Sequence, residues 1–149
     1  MIFILSHNII SVNGDHTMVH EWALADALAR YIIYRIGHDR KNIKRIIVKL
    51  GVLQSIDKEI LGFALKEILE SMGYTVAKID FEDEEPVLRC RKCGYEWKPD
   101  VDVFNDTVKE AIHFVPETIF SYYRCPVCGS RDFDIVKGRG VDITLIEVE

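Results

Sequence analysis

Two CxxC sequences constrain this chain more than any other feature. They are Cys90-Arg91-Lys92-Cys93-Gly94 and Cys125-Pro126-Val127-Cys128-Gly129. Two residues between the cysteines let both thiolates of a pair reach one metal ion, and the glycine that follows permits the tight turn of a zinc knuckle. We therefore predict that Cys90, Cys93, Cys125 and Cys128 bind one structural zinc ion.

Redox chemistry and zinc catalysis are the weaker interpretations of these cysteines. A thioredoxin-like motif has one CxxC within a βαβ unit, whereas here two pairs flank a long loop. Four sulfur ligands fill a tetrahedral site and leave no position for a substrate, which disfavours a zinc enzyme. The interval between the pairs, residues 94–124, is 31 residues long, whereas about 15–20 are usual. It includes a predicted short helix near residues 105–112.

The composition is that of a folded protein with an acidic balance. The chain has 149 residues, of which 48% are hydrophobic, and its net charge is −5 with a pI near 5.5. It therefore fits one domain or a domain with a small satellite, and its charge argues against nucleic acid as a partner. The apolar opening is too short for a signal peptide, and no apolar run suits a membrane helix. We predict a cytoplasmic protein that does not contact membranes.

Hydrophobic side chains recur at three- and four-residue steps in two segments, which predicts two amphipathic helices. The first segment begins at Trp22 and can end at Gly37; the second follows a cap at Asp57 or Ser55 and ends at Gly73. The side chains predicted to face the core are Trp22, Ala25, Ala29, Ile32 and Ile36 in the first helix, and Ile60, Leu61, Ala64, Leu65, Ile68 and Met72 in the second.

Strands are predicted from β-branched or alternating segments at residues 46–48, 77–82 and 141–148. In the last of these, hydrophobic residues stand at odd positions through Leu145 and at even positions from Ile146 onward. A β-bulge would explain this change of phase. Because the segment is too apolar to be exposed, we expect it to return to the sheet formed by the earlier strands.

These elements predict an α+β fold, with two helices on a small mixed sheet and an inserted lobe that resembles a zinc ribbon. The sheet domain would comprise residues 18–86 and 138–149, and the zinc-binding domain residues 87–137. Residues 1–17 would form an N-terminal extension.

The sequence around one of the five histidines is distinctive. His7, His16, His38 and His113 stand in unremarkable surroundings, but His20 lies in Met18-Val19-His20-Glu21-Trp22-Ala23-Leu24-Ala25. This segment resembles the N-terminus of the hydrogenase-maturation nickel chaperone family HypA, which begins Met-His-Glu and runs into a helix. The resemblance covers about 130 of the 149 residues and includes Leu50–Gln54, the paired knuckles and Val136–Gly140.

The resemblance implies a cytoplasmic metallochaperone without catalytic activity. Such a protein helps to insert nickel into the precursor of the [NiFe]-hydrogenase large subunit, together with a nucleotide-binding partner, a HypB-like GTPase or ATPase. The family's nickel ligand carries over onto His20. The long loop between the knuckles is similar to that of archaeal members, and the loop residue His113 is a second candidate nickel ligand.

Coordination chemistry supports a nickel site at a histidine in second position. A terminal amine, the amide nitrogen of the histidine and its imidazole form fused chelate rings, and planar nitrogen donors suit Ni(II) or Cu(II), of which copper binds more tightly. Here, however, His20 is far from the first residue, so the protein either lacks this geometry or begins elsewhere. A start at Val19, or at Met18 with removal of the methionine, would put His20 second. Val52 is another departure, since many relatives have glutamate there.

A zinc-ribbon module that binds nucleic acid or a transcription complex is the alternative function. A basic patch on the lobe would support it, although a solvated surface is the simpler interpretation in an acidic protein. The residues concerned are Lys92, Arg124, Arg131, Lys137 and Arg139.

Overall fold

The computed structural model describes residues 2–4, 21–53, 56–100 and 104–149. The described helices are α1 (Glu21–Ile36), α2 (Lys58–Ser71), α3 (Asp106–Phe114) and a 3₁₀ helix (Pro116–Ser121). The strands are β1 (Ile2–Ile4), β2 (Asn42–Gly51), β3 (Thr75–Val76), β4 (Ile79–Glu84), β5 (Val87–Cys90), β6 (Glu96–Trp97), β7 (Phe133–Lys137) and β8 (Val141–Val148).

The larger sheet is mixed, as predicted. Its strand order is β1-β8-β2-β3, and β4 pairs with β2 beyond β3 along the same edge. The β2–β3 and β2–β4 pairs are parallel, whereas β8 runs antiparallel to both β2 and β1. The last strand therefore returns to the first sheet. The predicted α+β class, with two helices on a mixed sheet and an inserted cysteine lobe, is confirmed.

Helices α1 and α2 pack against this sheet, but three side chains predicted to face the core do not. Trp22 is 49% exposed, Ile60 44% and Met72 38%. The buried stripes instead include Leu24 and Leu28 of α1, and the core continues into β2 and β8. Helical periodicity identified both helices and most of their buried positions, but the buried stripes do not include the terminal positions Trp22, Ile60 and Met72.

The boundaries of α2 follow the local chemistry that the sequence suggested. The carboxylate of Asp57 accepts a hydrogen bond from the backbone N–H of Ile60 at 3.1 Å, which satisfies one of the free donors of the first turn. The helix ends before Gly73, whose φ of +90° is readily adopted by glycine. Asp57 is thus the N-cap, and Ser55, the other candidate, lies outside the described residues.

A β-bulge in β8 accounts for the change of hydrophobic phase. Ile47 of β2 is opposite Leu145, while the next residue, Val48, is opposite Ile143. Thr144 is therefore the additional residue, and the bulge keeps both Ile143 and Ile146 fully buried. The predicted bulge is confirmed.

The inserted segment has its own small sheet and core. Its strand order is β6-β5-β7, with both pairs antiparallel. The buried side chains of this core are Leu53, Leu88, Ile112, Ile119 and Phe133. Leu53 precedes α2, so the core of the lobe includes a residue from outside residues 87–137. The domain limits given above stay a prediction.

Three backbone segments meet where the lobe joins the sheet. The N–H of Gly51 donates to the carbonyl of Gly140, and the N–H of Leu53 donates to the carbonyl of Gly138, both at 2.9 Å. The N–H of Gly138 in turn donates to the Glu84 carboxylate at 2.8 Å. We call this meeting point the backbone crossing. Its three hydrogen bonds fix the two ends of the lobe relative to the end of β2. No helix in the described ranges is long and apolar enough to cross a membrane.

Close backbone contact at this crossing makes Gly51 sensitive to substitution. A Cβ at Gly51 would lie 2.3 Å from the carbonyl oxygen of Gly138, whereas a Cβ at Gly37 would have no neighbour within 4 Å. We predict that Gly51→Ala lowers the free energy of unfolding by about 3 kcal/mol through overpacking. Gly37→Ala, with a φ of +77°, should lose about 1 kcal/mol to backbone strain alone.

Urea denaturation of both variants and the parent chain measures this difference. Equal losses in the two variants would mean that the crossing is loose enough to absorb a methyl group.

Candidate metal centre

The four cysteines converge at one end of the lobe. Cys90 is the last residue of β5, Cys93 lies in the turn that follows, and Cys125 and Cys128 flank the second turn. All four sulfur atoms lie within 4.8 Å of one another. The Cys90–Cys128 and Cys93–Cys125 sulfur pairs are each 3.5 Å apart. The structure thus brings together the four residues that their spacing singled out.

Each knuckle is closed by its own backbone. The N–H of Gly94 donates to the carbonyl of Cys90 at 3.0 Å, and the N–H of Gly129 donates to the carbonyl of Cys125 at 2.9 Å. Both glycines have positive φ angles, +79° and +75°, which residues with a side chain rarely adopt. The N–H of Cys93 also points at the sulfur of Cys90, 3.4 Å away. Such donors stabilise a thiolate.

The pKa values of two cysteines are lowered and that of a third is raised, a division that fits a cation site. Chiefly because the backbone N–H of Cys93 donates to it, Cys90 has a pKa lowered to about 6. Burial acts to raise the pKa of Cys125, but the backbone N–H groups of Cys128 and Val127 and the neighbouring sulfurs together outweigh it, and the net shift is downward. For Cys93, the N–H of Tyr95 acts to lower the pKa, yet burial and the Cys125 sulfur raise it to about 12. Four thiolates this close require a cation between them.

Aromatic side chains of the lobe pack next to β5, the strand that ends at Cys90. Phe133 is buried against the ring of Trp97, with centroids 5.3 Å apart, and Tyr95 stacks on the other side of Trp97. The N–H of Cys90 donates to the carbonyl of Tyr95, which ties the knuckle to the β5–β6 hairpin. Cys90 and the adjacent strand are therefore held in place by the core of the lobe.

Four cysteine sulfurs are a donor set that fits zinc in a structural role. Four thiolates complete a tetrahedral site, so a bound zinc ion would cross-link the two knuckles and would have no position for a substrate. The residues that would hold it are Cys90, Cys93, Cys125 and Cys128.

The first candidate nickel ligand, His20, lies outside the described residues, which resume at Glu21. Glu21 opens α1, and its carboxylate accepts a hydrogen bond from the backbone N–H of Asp57 at 3.2 Å. Asp57 caps α2, so this contact joins the N-termini of both helices. Sequence reasoning did not predict it: an acidic residue in a first turn is a common signal, but its partner 36 residues away leaves no local pattern.

The second candidate, His113, is in a helix and not in a loop. The predicted helix near residues 105–112 is observed as α3, which begins after the N-cap Asn105 and continues to Phe114. Ile112, the last residue of the predicted helix, is buried in the core of the lobe, and the helix continues beyond it to Phe114. Because His20 lies outside the described residues, the pairing of His113 with His20 stays a prediction.

Of the basic residues proposed for nucleic acid, Lys92, Arg124, Arg131 and Lys137 are exposed, and Arg139 is the exception. Arg139 is mostly buried and pairs with Glu117. Arg91, which the sequence did not single out, pairs with Asp132 and Asp134 beside the first knuckle. The charges of Arg91 and Arg139 are therefore neutralised within the protein.

Comparison with known proteins identifies the relatives of this chain. Residues 19–148 match the family model described as hydrogenase/urease nickel incorporation metallochaperone, HypA. The hydrogenase maturation factor HypA of Pyrococcus abyssi is 46% identical over 134 residues, with 88% of this chain and 96% of the relative covered. The protein of the same name from Thermococcus sibiricus is 45% identical over 134 residues, covering 88% and 97%.

Solved structures with the same fold are more distant in sequence. The solution structure of the nickel metallochaperone HypA from Helicobacter pylori has a TM-score of 0.56 at 20% identity, covering 87% of this chain and 97% of that one. A second solution structure of a HypA protein has a TM-score of 0.58 at 20% identity, covering 89% and 98%. These matches concern the fold.

The relatives give no support to the nucleic-acid interpretation. With most of its length matched by the family model and by relatives well above 40% identity, this chain belongs to the HypA family of nickel metallochaperones.

Proposed function

We propose that this protein binds nickel at His20 and helps to insert it into the precursor of the [NiFe]-hydrogenase large subunit. The observation that carries the proposal is the match of residues 19–148 to a nickel-incorporation family, together with close relatives that are named hydrogenase maturation factors. The family description also includes urease, but the names of these relatives favour hydrogenase. In this role the protein is a carrier and not an enzyme.

The cysteine cluster serves this function as a structural zinc site. Four sulfurs within 4.8 Å, two of them with lowered pKa values, suit a divalent cation that stays bound. Zinc would hold the two knuckles together, and through Cys90 and β5 it would stabilise the lobe whose core includes Leu53. A closed site does not exchange its metal readily, so the transported nickel requires a separate site.

The N-terminus of α1 is the proposed position of that second site. The carboxylate of Glu21 is hydrogen-bonded to the backbone N–H of Asp57, the N-cap of α2, so the first residue of α1 is tied to the second helix. If His20 is second in the chain, its imidazole and two backbone nitrogens supply three planar donors. The hydrogen bond at Glu21 would then position the chelate relative to both helices.

The partners proposed are a nucleotide-binding protein similar to HypB and the hydrogenase precursor that receives nickel. Three nitrogens from the His20 segment leave the fourth position of the plane to an exchangeable donor, which a ligand of the partner can displace in order to take the metal. His113 is the candidate for this fourth position. Its helix α3 packs against the 3₁₀ helix through Ile112 and Ile119 in the core of the lobe, so the zinc-bound lobe would support it.

Loss of a cysteine should release zinc and unfold the lobe. We predict that Cys125→Ser reduces zinc from one ion per chain to a small fraction, because the binding free energy of such a site is largely folding free energy. Hydrogen-exchange protection should be lost in β5 and β7 and kept in β2. Metal analysis and exchange mass spectrometry measure the two effects.

Val127→Ala is the matched control for this variant. Val127 lies between the two cysteines of the same knuckle and is 65% exposed, so zinc and protection should stay unchanged. Full zinc content with unchanged protection in Cys125→Ser would show that the four-cysteine site is wrong.

The position of the terminal amine should decide nickel binding. We compare a chain that begins at Met1 with one that begins at Val19, where His20 is second. The short chain should bind one nickel with the absorption spectrum of a planar nitrogen site. It should lose that nickel on acidification, because amine, amide and imidazole nitrogens regain protons. The long chain should lack this spectrum.

His20→Ala in the short chain should abolish the planar site. His38→Ala is the control, since His38 lies at the other end of α1, near Tyr74. Equal affinity and the same spectrum in the long and short chains would exclude the amine as a ligand and require a nickel site built from side chains.

His113 should contribute to nickel binding without affecting zinc. We predict that His113→Ala weakens nickel binding about tenfold or alters its visible spectrum, a loss comparable with that of other groups that support a metal site. Zinc content should stay at one per chain. A nickel titration that matches the parent chain in both affinity and spectrum would make His113 an ordinary helix residue.

A further inference from the structure

Strand β4 presents one unpaired edge. It pairs with β2 on one side, and within the described ranges no strand pairs with its other side. The carbonyls of Lys78 and Glu84 accept hydrogen bonds on the side of β2. Ile79, Phe81 and Asp83 occupy the alternate positions, so their backbone N–H and C=O groups are directed away from the sheet. Such an edge is a template for an additional strand.

An apolar groove of about 250 Å³ runs between this edge and α2. Ile79 and Phe81 form part of its floor and are half-buried, while Phe63 of α2 stands at its side and is 60% exposed. Gly62 allows the close packing of helix and strand, because a Cβ there would be 3.3 Å from the Phe81 ring. A side chain of an added strand would therefore meet an aromatic surface.

The charged residues that line the groove are mostly basic. Lys58, Lys66 and Lys78 line it, against a single carboxylate, Glu59. The lysines make ion pairs with Asp83, Glu70 and Asp80, at 2.7, 3.9 and 3.7 Å. These pairs are solvent-exposed and contribute little, so carboxylates of a ligand can replace them. A strand with acidic side chains on the groove side is therefore favoured.

The spacing of two lysines defines the pattern of that strand. Lys58 lies beside Asp83, and Gly62 beside Phe81, so α2 runs antiparallel to β4. Lys58 and Lys66 are eight positions apart, which is about 12 Å along a helix. Residues four apart in a strand are about 13 Å apart. Two acidic residues at that spacing, with an apolar residue midway, match both lysines and the aromatic floor.

The groove adjoins the start of α1. The ring of Phe63 packs edge-to-face against Trp22, with centroids 6.2 Å apart, and Trp22 itself is half exposed. Two surface aromatic side chains thus continue the apolar surface from the groove to the first turn of α1. A segment docked in the groove would lie beside that turn.

We propose that the groove between α2 and β4 docks an extended strand of a partner protein with the pattern Glu-x-Leu-x-Glu. The leucine contacts Phe63 and Phe81, the glutamates pair with Lys58 and Lys66, and backbone hydrogen bonds form along β4. A second copy of β4 is disfavoured, because on the face away from the groove its Asp80 and Glu82 would lie opposite the same two carboxylates, whereas the x positions of the proposed strand are uncharged. The proposal concerns protein recognition and is independent of which metal is carried.

The test uses the full chain, labelled with ¹⁵N, and a synthetic heptapeptide. The peptide is Thr-Glu-Thr-Leu-Thr-Glu-Thr with blocked ends, and its matched control has lysine in place of both glutamates. We expect the acidic peptide to shift the amide resonances of Ile79, Phe81 and Asp83, to slow their hydrogen exchange, and to bind at least tenfold more tightly than the basic peptide.

Variants locate the contacts and provide a control. Phe63→Ala should weaken the acidic peptide about tenfold, whereas Tyr34→Ala, at an exposed tyrosine of α1 outside the groove, should have no effect. The double variant Lys58→Glu with Lys66→Glu should reverse the preference toward the basic peptide. Absence of binding, equal binding of both peptides, or shifts confined to other residues would overturn the proposal. Concentration-dependent shifts at the same edge without peptide would overturn it too, because the occupant would then be a second copy.

Discussion

The antiparallel pairing of β8 with β2 is the constraint on which the rest of the structure depends. The two strands are paired from Ile43 and Val148 at one end to Leu50 and Val141 at the other. Because the lobe lies between β4 and β8 in the chain, this pairing brings its two ends together. The carboxylate of Glu84 then accepts from the N–H of Gly138. The lobe that carries the cysteines therefore begins and ends at the same place.

Much of this arrangement could be predicted from local sequence patterns. The spacing of the cysteines predicted their cluster, Asp57 predicted the start of α2, and the phase change predicted the bulge at Thr144. Each knuckle, the helix cap and the bulge is determined by residues near one another in the chain, whereas the convergence of the two knuckles was inferred from the ligand number of zinc. Their physical causes, knuckle geometry, helix capping and strand alternation, act over a few residues.

The errors concern contacts between distant parts of the chain. Trp22 was predicted to face the core, but it lies at the rim of the α1–α2 pair and contacts Phe63 on the surface. Leu53 belongs to the core of the lobe, although it precedes that segment by more than thirty residues. Periodicity shows that a face is apolar, but the neighbouring element decides how much of it is buried. The same applies to Glu21, whose partner is the backbone of the second helix.

We propose that the two metals occupy sites of opposite design: zinc a closed cluster of four sulfurs, and nickel a set of nitrogen donors at His20 with an exchangeable fourth position. Anomalous diffraction from crystals of the nickel-loaded protein, beginning at Val19 and measured at both absorption edges, tests this directly. We predict a zinc peak between the sulfurs of Cys90, Cys93, Cys125 and Cys128, and a nickel peak at His20, immediately before α1. Nickel among the cysteines, or no nickel peak at His20, would contradict the account.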